Sequence, residues 1–123
     1  MNNMRIALGS DIVDIVRIKK IMKTFDNHFL NRFFSDYEVS YAKSKSNTAI
    51  HLAGFWAAKE AAYKAFGFGF AASYNITHRS KGKPVLNLPK GLTRPKSLDV
   101  SISHIENVAF AVVVAIYDDN DSE

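Results

Sequence analysis

The stretch that most restricts what this chain can become is AIHLAGFWAAKEAAYKAF, residues 49–66, followed at once by Gly67 and Gly69. Alanine and long apolar side chains favour the helix, and a glycine just past the last turn supplies a left-handed stop. The pattern predicts one long helix. Apolar residues take nearly its whole circumference, so the helix must be buried on most sides, with Ala53, Gly54, Ala57, Ala58 and Ala61 admitting close neighbours. Its few charges are Lys59, Glu60 and Lys64.

The rest of the chain has to wrap that helix. Residues 5–13 read as a strand with Ala7, Gly9 and Asp11 on one side and Ile6, Leu8 and Ile12 on the other. Asp14 can cap a following helix in which Ile15, Ile18, Ile21, Met22 and Phe25 share an arc opposite Arg17, Lys19, Lys20 and Lys23. Phe29, Leu30, Phe33 and Phe34 suggest a second short helix, and Ser35 with Glu38 spells a capping box opening a third around Tyr37 and Tyr41. Residues 43–47 read as loop. Beyond the long helix, 73–79 and 83–88 suggest a hairpin turning at Ser80, Lys81 and Gly82, and LDVSISH with VAFAVVVAI a second about residues 105–107. In the last strand the even positions are large and the odd ones mostly small; both faces read as buried, and the small odd face is expected to need a covering partner. The fold class is α+β, an antiparallel β-sheet wrapped around a long buried helix.

With 123 residues, 47% of them hydrophobic, the chain fits a single domain over 1–123. It has no cysteine, which excludes a disulfide framework and any cysteine zinc site. Ser10, Asp11 and Asp14 interrupt the first apolar run before it could serve as a signal segment or membrane span, so the expectation is a cytoplasmic protein with no membrane partner. The net charge of +4 hides an asymmetry: without the closing DDNDSE, sixteen basic residues face eight acids, a balance of +8. A basic body suits an acidic partner, whether nucleic acid, phosphorylated cofactor or acidic protein, or merely keeps the chain soluble.

Glu60 is the informative residue, because a carboxylate in an apolar helix needs a compensating cation or donors. Helical spacing allows two answers. Lys64, four residues on, could pair with it directly; or Asp11, from the end of the first strand, could join it in holding Mg²⁺, with water and substrate phosphates completing the ion's shell. Gly67-Phe68-Gly69 most simply caps the helix and secondarily offers backbone to a phosphate. Lys64 and the Gly82-Lys83-Pro84 turn supply cations for an anion with several phosphates. His104, on the same strand side as Val100 and Ile102, is either structural or, with Ser103, a phosphate or proton-handling group.

These same residues carry a resemblance. Gly9-Ser10-Asp11-Ile12-Val13-Asp14-Ile15 resembles the G-x-D-I-V-E-I signature of the holo-acyl-carrier-protein synthases, in the 4′-phosphopantetheinyl transferase superfamily. Phe55-Trp56-Ala57-Ala58-Lys59-Glu60-Ala61, continuing to Lys64-Ala65-Phe66-Gly67-Phe68-Gly69, resembles their F-A-A-K-E-A…K-A-F-G-x-G helix, and Gly82-Lys83-Pro84 and residues 100–104 match two further segments. The resemblance implies transfer of 4′-phosphopantetheine from coenzyme A to a serine of apo acyl carrier protein, releasing 3′,5′-ADP, with Mg²⁺ required and fatty acid biosynthesis served. It makes Asp11 and Glu60 the metal ligands and Lys64 the lysine near the diphosphate. Lys83, Ser103 and His104 fall in the coenzyme A pocket, with Lys59 and Gly67 as further cofactor contacts and Lys64 and His104 as catalytic candidates. It also implies a homotrimer with sites between subunits, Asp11 and Glu60 from one and His104 from its neighbour. Carrier protein would dock on the first helix through Arg17 and Lys20.

Three positions depart from the family pattern. Phe55 stands where an arginine is usual, Asp14 replaces a glutamate, and Phe68 replaces the threonine between the glycines. The rival readings are another Mg²⁺-dependent phosphotransferase or hydrolase using the same two acids, and a non-enzymatic module docking an acidic protein or nucleic acid through the basic helix. That helix interleaves no aromatics with its basic face, which disfavours nucleic acid.

Overall fold

The computed structural model describes residues 3–24 and 27–118, the side chains of Asn27 and Phe29 excepted. In chain order they form β1 (Met4–Asp14), α1 (Ile15–Thr24), α2 (Asn27–Phe33), α3 (Asp36–Lys43), α4 (Thr48–Phe66), a short 3₁₀ turn (Ala71–Ser73), β2 (Asn75–His78), β3 (Pro84–Asn87), β4 (Ser97–His104) and β5 (Val108–Asp118). The expected α+β class and the long helix are both present. Asn47 caps α4 by accepting the Ile50 N–H at 3.1 Å, and Gly67, at φ 62°, closes it by donating its own N–H to the Tyr63 carbonyl at 2.7 Å.

Two antiparallel sheets result: a three-stranded one in the order β1-β5-β4 and a separate pair, β2-β3. α4 packs chiefly on β1 and β5, its buried side lined with Ala53, Ala57, Ala58, Ala61 and Ala62. The strands answer in kind, since Ala109, Ala111, Val113 and Ala115 face it from β5 and are fully buried. Small residues on both partners bring the backbones unusually close. At Gly9 a Cβ atom would run into the Ala61 carbonyl oxygen and lie 2.7 Å from the Ala65 nitrogen, so β1 can seat against α4 only with glycine there.

This packing corrects one expectation. The small odd side of β5 is already covered by α4, and the open face is the other one. In register, Ile6 pairs with Ile116, Leu8 with Val114 and Ile12 with Phe110, all on the side away from α4. Ile6, Leu8 and Ile12 are each more than 60% exposed. Period-two alternation identified the two faces, but bulk gave the wrong one to α4: a helix rich in alanine selects the small face, since only that lets it approach.

The peripheral elements follow their local signals. The Asp14 carboxylate accepts from the Val16 N–H at 2.9 Å at the start of α1, whose Ile15 and Ile18 are buried while Arg17, Lys19, Lys20 and Lys23 are exposed. Phe25, expected on the same arc, lies outside the described residues. Phe33 and Phe34 close on Trp56 of α4, with ring centroids 4.5 and 6.0 Å away. Ser35 and Glu38 form the expected reciprocal capping box at α3, and the β2-β3 hairpin turns at Gly82 with φ 87°.

Candidate active site

Asp11 and Glu60 meet at the seam between β1 and α4. Both line one cavity of about 470 Å³, together with Asp14, Arg17, Ile21 and Trp56. Burial holds the Glu60 carboxyl above its ordinary pKa, the Asp11 carboxylate pushes it further the same way, and Lys64 opposes them. The lysine is not paired as helical spacing alone would have it. Its ammonium reaches across to β1, 2.9 Å from Asp11 Oδ1 and 3.1 Å from the Ser10 carbonyl oxygen. Among the described residues no ion pair joins it to Glu60. Two carboxylates lining one cavity, Glu60 lifted in pKa by burial and then by Asp11, make a donor set that a small divalent cation would satisfy. Asp11, Glu60 and Lys64 thus converge, and Arg17 of the basic α1 face lines the same cavity.

Lys59, expected to contact cofactor, is redirected by the structure. It is fully buried, and its ammonium donates to both Glu38 carboxylate oxygens at 2.8 and 3.0 Å, to the Tyr74 carbonyl at 2.7 Å and to Asn75 Oδ1 at 3.1 Å. Three N–H donors facing four oxygens leave nothing for a ligand. Burial lowers the Lys59 pKa while Glu38 raises it. Glu38 was legible only as a capping residue, yet it also accepts the Ile76 N–H at 2.6 Å and so clamps α3, α4 and β2 at one point. Gly67 is likewise a cap: its N–H is bonded to Tyr63, which removes the donor expected to meet a phosphate.

Lys83 is not among the residues lining that cavity; its ammonium sits 3.1 Å from Asp99 Oδ1 on the surface. That hydrogen bond holds the Asp99 carboxyl below its usual range. Ser103 and His104 are successive residues of β4 and point to opposite faces, so within one chain they do not converge. Register shows it: Ser103 pairs with Phe110 on the open face, His104 with Ala109 on the side of α4. His104 borders a second cavity of about 190 Å³, shared with His51, Phe55, His78 and Gly82. His51 and His78 went unnoticed in the sequence, since nothing in the spacing of residues 51, 78 and 104 announces that α4, β2 and β4 bring them together. Phe55, in place of the usual arginine, is buried among the rings of Tyr41 and His78. Among the described residues no group of three or more acidic, histidine or cysteine side chains is arranged to hold a metal ion, so Asp11 and Glu60 stand as a pair.

Comparison with known proteins agrees with this architecture. A family model described as the 4′-phosphopantetheinyl transferase superfamily matches residues 7–113. A holo-[acyl-carrier-protein] synthase from Halothermothrix orenii is 44% identical over 119 residues, covering 88% of this chain and 94% of its own. One from Protochlamydia amoebophila is 38% identical over 120 residues, covering 90% and 98%. Among solved structures, the Helicobacter pylori holo-[acyl-carrier-protein] synthase in complex with coenzyme A superposes with a TM-score of 0.77 at 38% identity, covering 88% of this chain and 98% of that one. A Bacillus anthracis synthase in complex with CoA (3′,5′-ADP) gives 0.77 at 29% identity, covering 94% and 99%. With the family model spanning most of the sequence and relatives matched along nearly their whole length, the chain belongs to the 4′-phosphopantetheinyl transferase superfamily, among its holo-[acyl-carrier-protein] synthases.

Proposed function

We propose that the protein transfers 4′-phosphopantetheine from coenzyme A to a serine of apo acyl carrier protein, releasing 3′,5′-ADP. The observation that carries this is the Asp11, Glu60 and Lys64 constellation at the β1-α4 seam, in a chain whose relatives are holo-[acyl-carrier-protein] synthases. Asp11 and Glu60 would hold Mg²⁺, which when bound offsets the charge of the coenzyme A diphosphate and of the oxygen that leaves with 3′,5′-ADP. Lys64, held on Asp11, would add a second positive charge beside the phosphates. Arg17, lining the same cavity, and Lys20, exposed on α1, would steer the acidic carrier protein so that its serine arrives next to the diphosphate.

The open apolar face of β1 and β5 supports self-association, with each copy's Ile6, Leu8 and Ile12 covered by its neighbours, and the family resemblance makes that assembly a homotrimer with a site shared between subunits. His104 lies in a different cavity from Asp11 and Glu60 of its own chain, as a shared site requires. No helix among the described residues is long and apolar enough to cross a membrane. We place the activity in the cytoplasm, in the service of fatty acid synthesis. The test is direct: incubate the protein with coenzyme A, Mg²⁺ and an apo carrier protein, and weigh the carrier. A mass gain of one phosphopantetheine is expected, and an unchanged mass refutes the reading; light scattering at micromolar concentration, expected to give three times the mass of one chain, tests the trimer separately.

A further inference from the structure

The cavity between α4, β2 and β4 differs in chemistry from the one beside Asp11. Three imidazoles, His51, His78 and His104, border it, and no acidic side chain is among its lining residues. At about 190 Å³ it is too small for a whole nucleotide and large enough for one anionic group. Lys45 is the permanent cation that acts on two of these rings. His51 is held below its ordinary pKa by burial, then by Lys45 and His104; His78 by burial, then by His51 and Lys45. Burial and these neighbours therefore favour the neutral rings of His51 and His78, and an anion between them would act in the opposite direction.

The neighbours tolerate both protonation states. Tyr37 Oη lies 2.9 Å from His78 Nδ1, and a hydroxyl can donate to the neutral ring or accept from the protonated one. Tyr41 stacks on His78 at 4.1 Å, its ring also facing Lys45 at 4.8 Å, and meets His51 edge-on at 5.6 Å; an aromatic face stabilises the imidazolium laid over it. Phe55 closes the floor.

Coenzyme A carries a diphosphate and, apart from it, a phosphate monoester on the ribose. The geometry points to a proton-linked receptor for that monoester: His51 and His78 bind it as imidazolium groups, with His104 beside them in the lining, and the protein takes up protons as it enters. This rests on the proposed use of coenzyme A and extends it to residues and a pH dependence that the reaction itself does not require. Where the family pattern has a permanent cation at position 55, this chain has cations that depend on pH.

The test is calorimetric titration of the intact protein with coenzyme A and with 3′-dephospho-coenzyme A, in two buffers of different ionisation enthalpy at about pH 7.5, where a phosphate monoester with a second pKa of about 6 is doubly ionised. Net proton uptake is expected with coenzyme A and not with the dephospho compound. The preference for coenzyme A should fall as pH rises, by roughly tenfold for each histidine whose pKa the phosphate raises by about one unit. His51→Gln with His78→Gln should abolish the uptake and most of the preference, whereas His51→Lys should keep the preference with its pH dependence reduced. Equal proton uptake for both ligands, or none for either, overturns the inference while leaving coenzyme A binding intact, and wild type alone decides this if the double variant does not fold. Failure to bind either ligand overturns the inference and the proposed function together.

Discussion

Replacing Lys59 by methionine removes one half of a fully buried ion pair while nearly preserving side-chain length. Glu38 would keep two donors, the Ser35 N–H at 2.9 Å and the Ile76 N–H at 2.6 Å, and lose the ammonium that balances its charge. Breaking one side of such a pair costs about 3–5 kcal/mol, because the remaining charge is stranded in a medium that cannot solvate it. A domain of this size has a total stability of about 5–15 kcal/mol, so Lys59→Met should leave it folded but markedly weakened. In a thermal melt that is a drop of roughly 10–20 °C. The second variant is Glu38→Leu with Lys59→Met, which removes both charges. It should recover part of the loss, held back by the broken α3 cap at about 1 kcal/mol and by the backbone groups of Tyr74 and Ile76 left without partners. Urea unfolding of wild type, both single variants and the double variant yields the coupling directly. A Lys59→Met protein as stable as wild type but with weakened coenzyme A binding would refute the structural role and return Lys59 to the site.

Glu60→Gln keeps the shape of the side chain and loses its charge, so transfer should collapse even at saturating Mg²⁺ while the melting curve stays near wild type; Asp11→Ala should do the same, and near-normal turnover by Glu60→Gln would remove the metal-ligand assignment. Reversing Arg17 and Lys20 to glutamate should raise KM for carrier protein and leave coenzyme A affinity alone, and added salt should mimic this in wild type because exposed charges are screened over about 10 Å at ~0.1 M. Gly9→Ala should destabilise by about 1–3 kcal/mol or more, since its Cβ meets backbone of α4 rather than a side chain that can turn away; a melt within a degree of wild type would contradict the close approach of β1.

Sequence and structure agree wherever a few adjacent residues determine the outcome. The Ser35–Glu38 box, the Asp14 cap, the Gly67 stop and the Gly82 turn are each decided within about four residues, and each formed. The metal-ligand candidates were legible for another reason: Asp11 and Glu60 are acids among small and apolar residues, so their cost of burial shows in the sequence. What escaped was set by tertiary pairing. That β1 joins β5, so that Leu8 lies beside Val114, is invisible to periodicity; so is which face of β5 an alanine-rich helix would choose. The partner of Lys59 lies 21 residues back on another helix, and His51, His78 and His104 come from three elements.

Lys59 and Glu60 show why adjacency in a motif says little about shared duty. Successive helical residues point about 100° apart, whereas residues four apart point nearly the same way. Glu60 and Lys64 therefore look out together at β1, where Lys64 reaches Asp11, while Lys59 turns toward α3 and β2 to hold Glu38. One helix thus carries two charge systems. The inner one is fully buried, with every ammonium proton used, and fixes where α4 sits relative to α3 and β2. The outer one pairs a half-exposed lysine with Asp11 and leaves Glu60 raised in pKa beside it, a balance that an arriving cation or phosphate can shift. Rigidity in the first is what holds the carboxylate of the second at the seam with β1, so a change at Lys59 should alter stability first, and activity only through the position of α4.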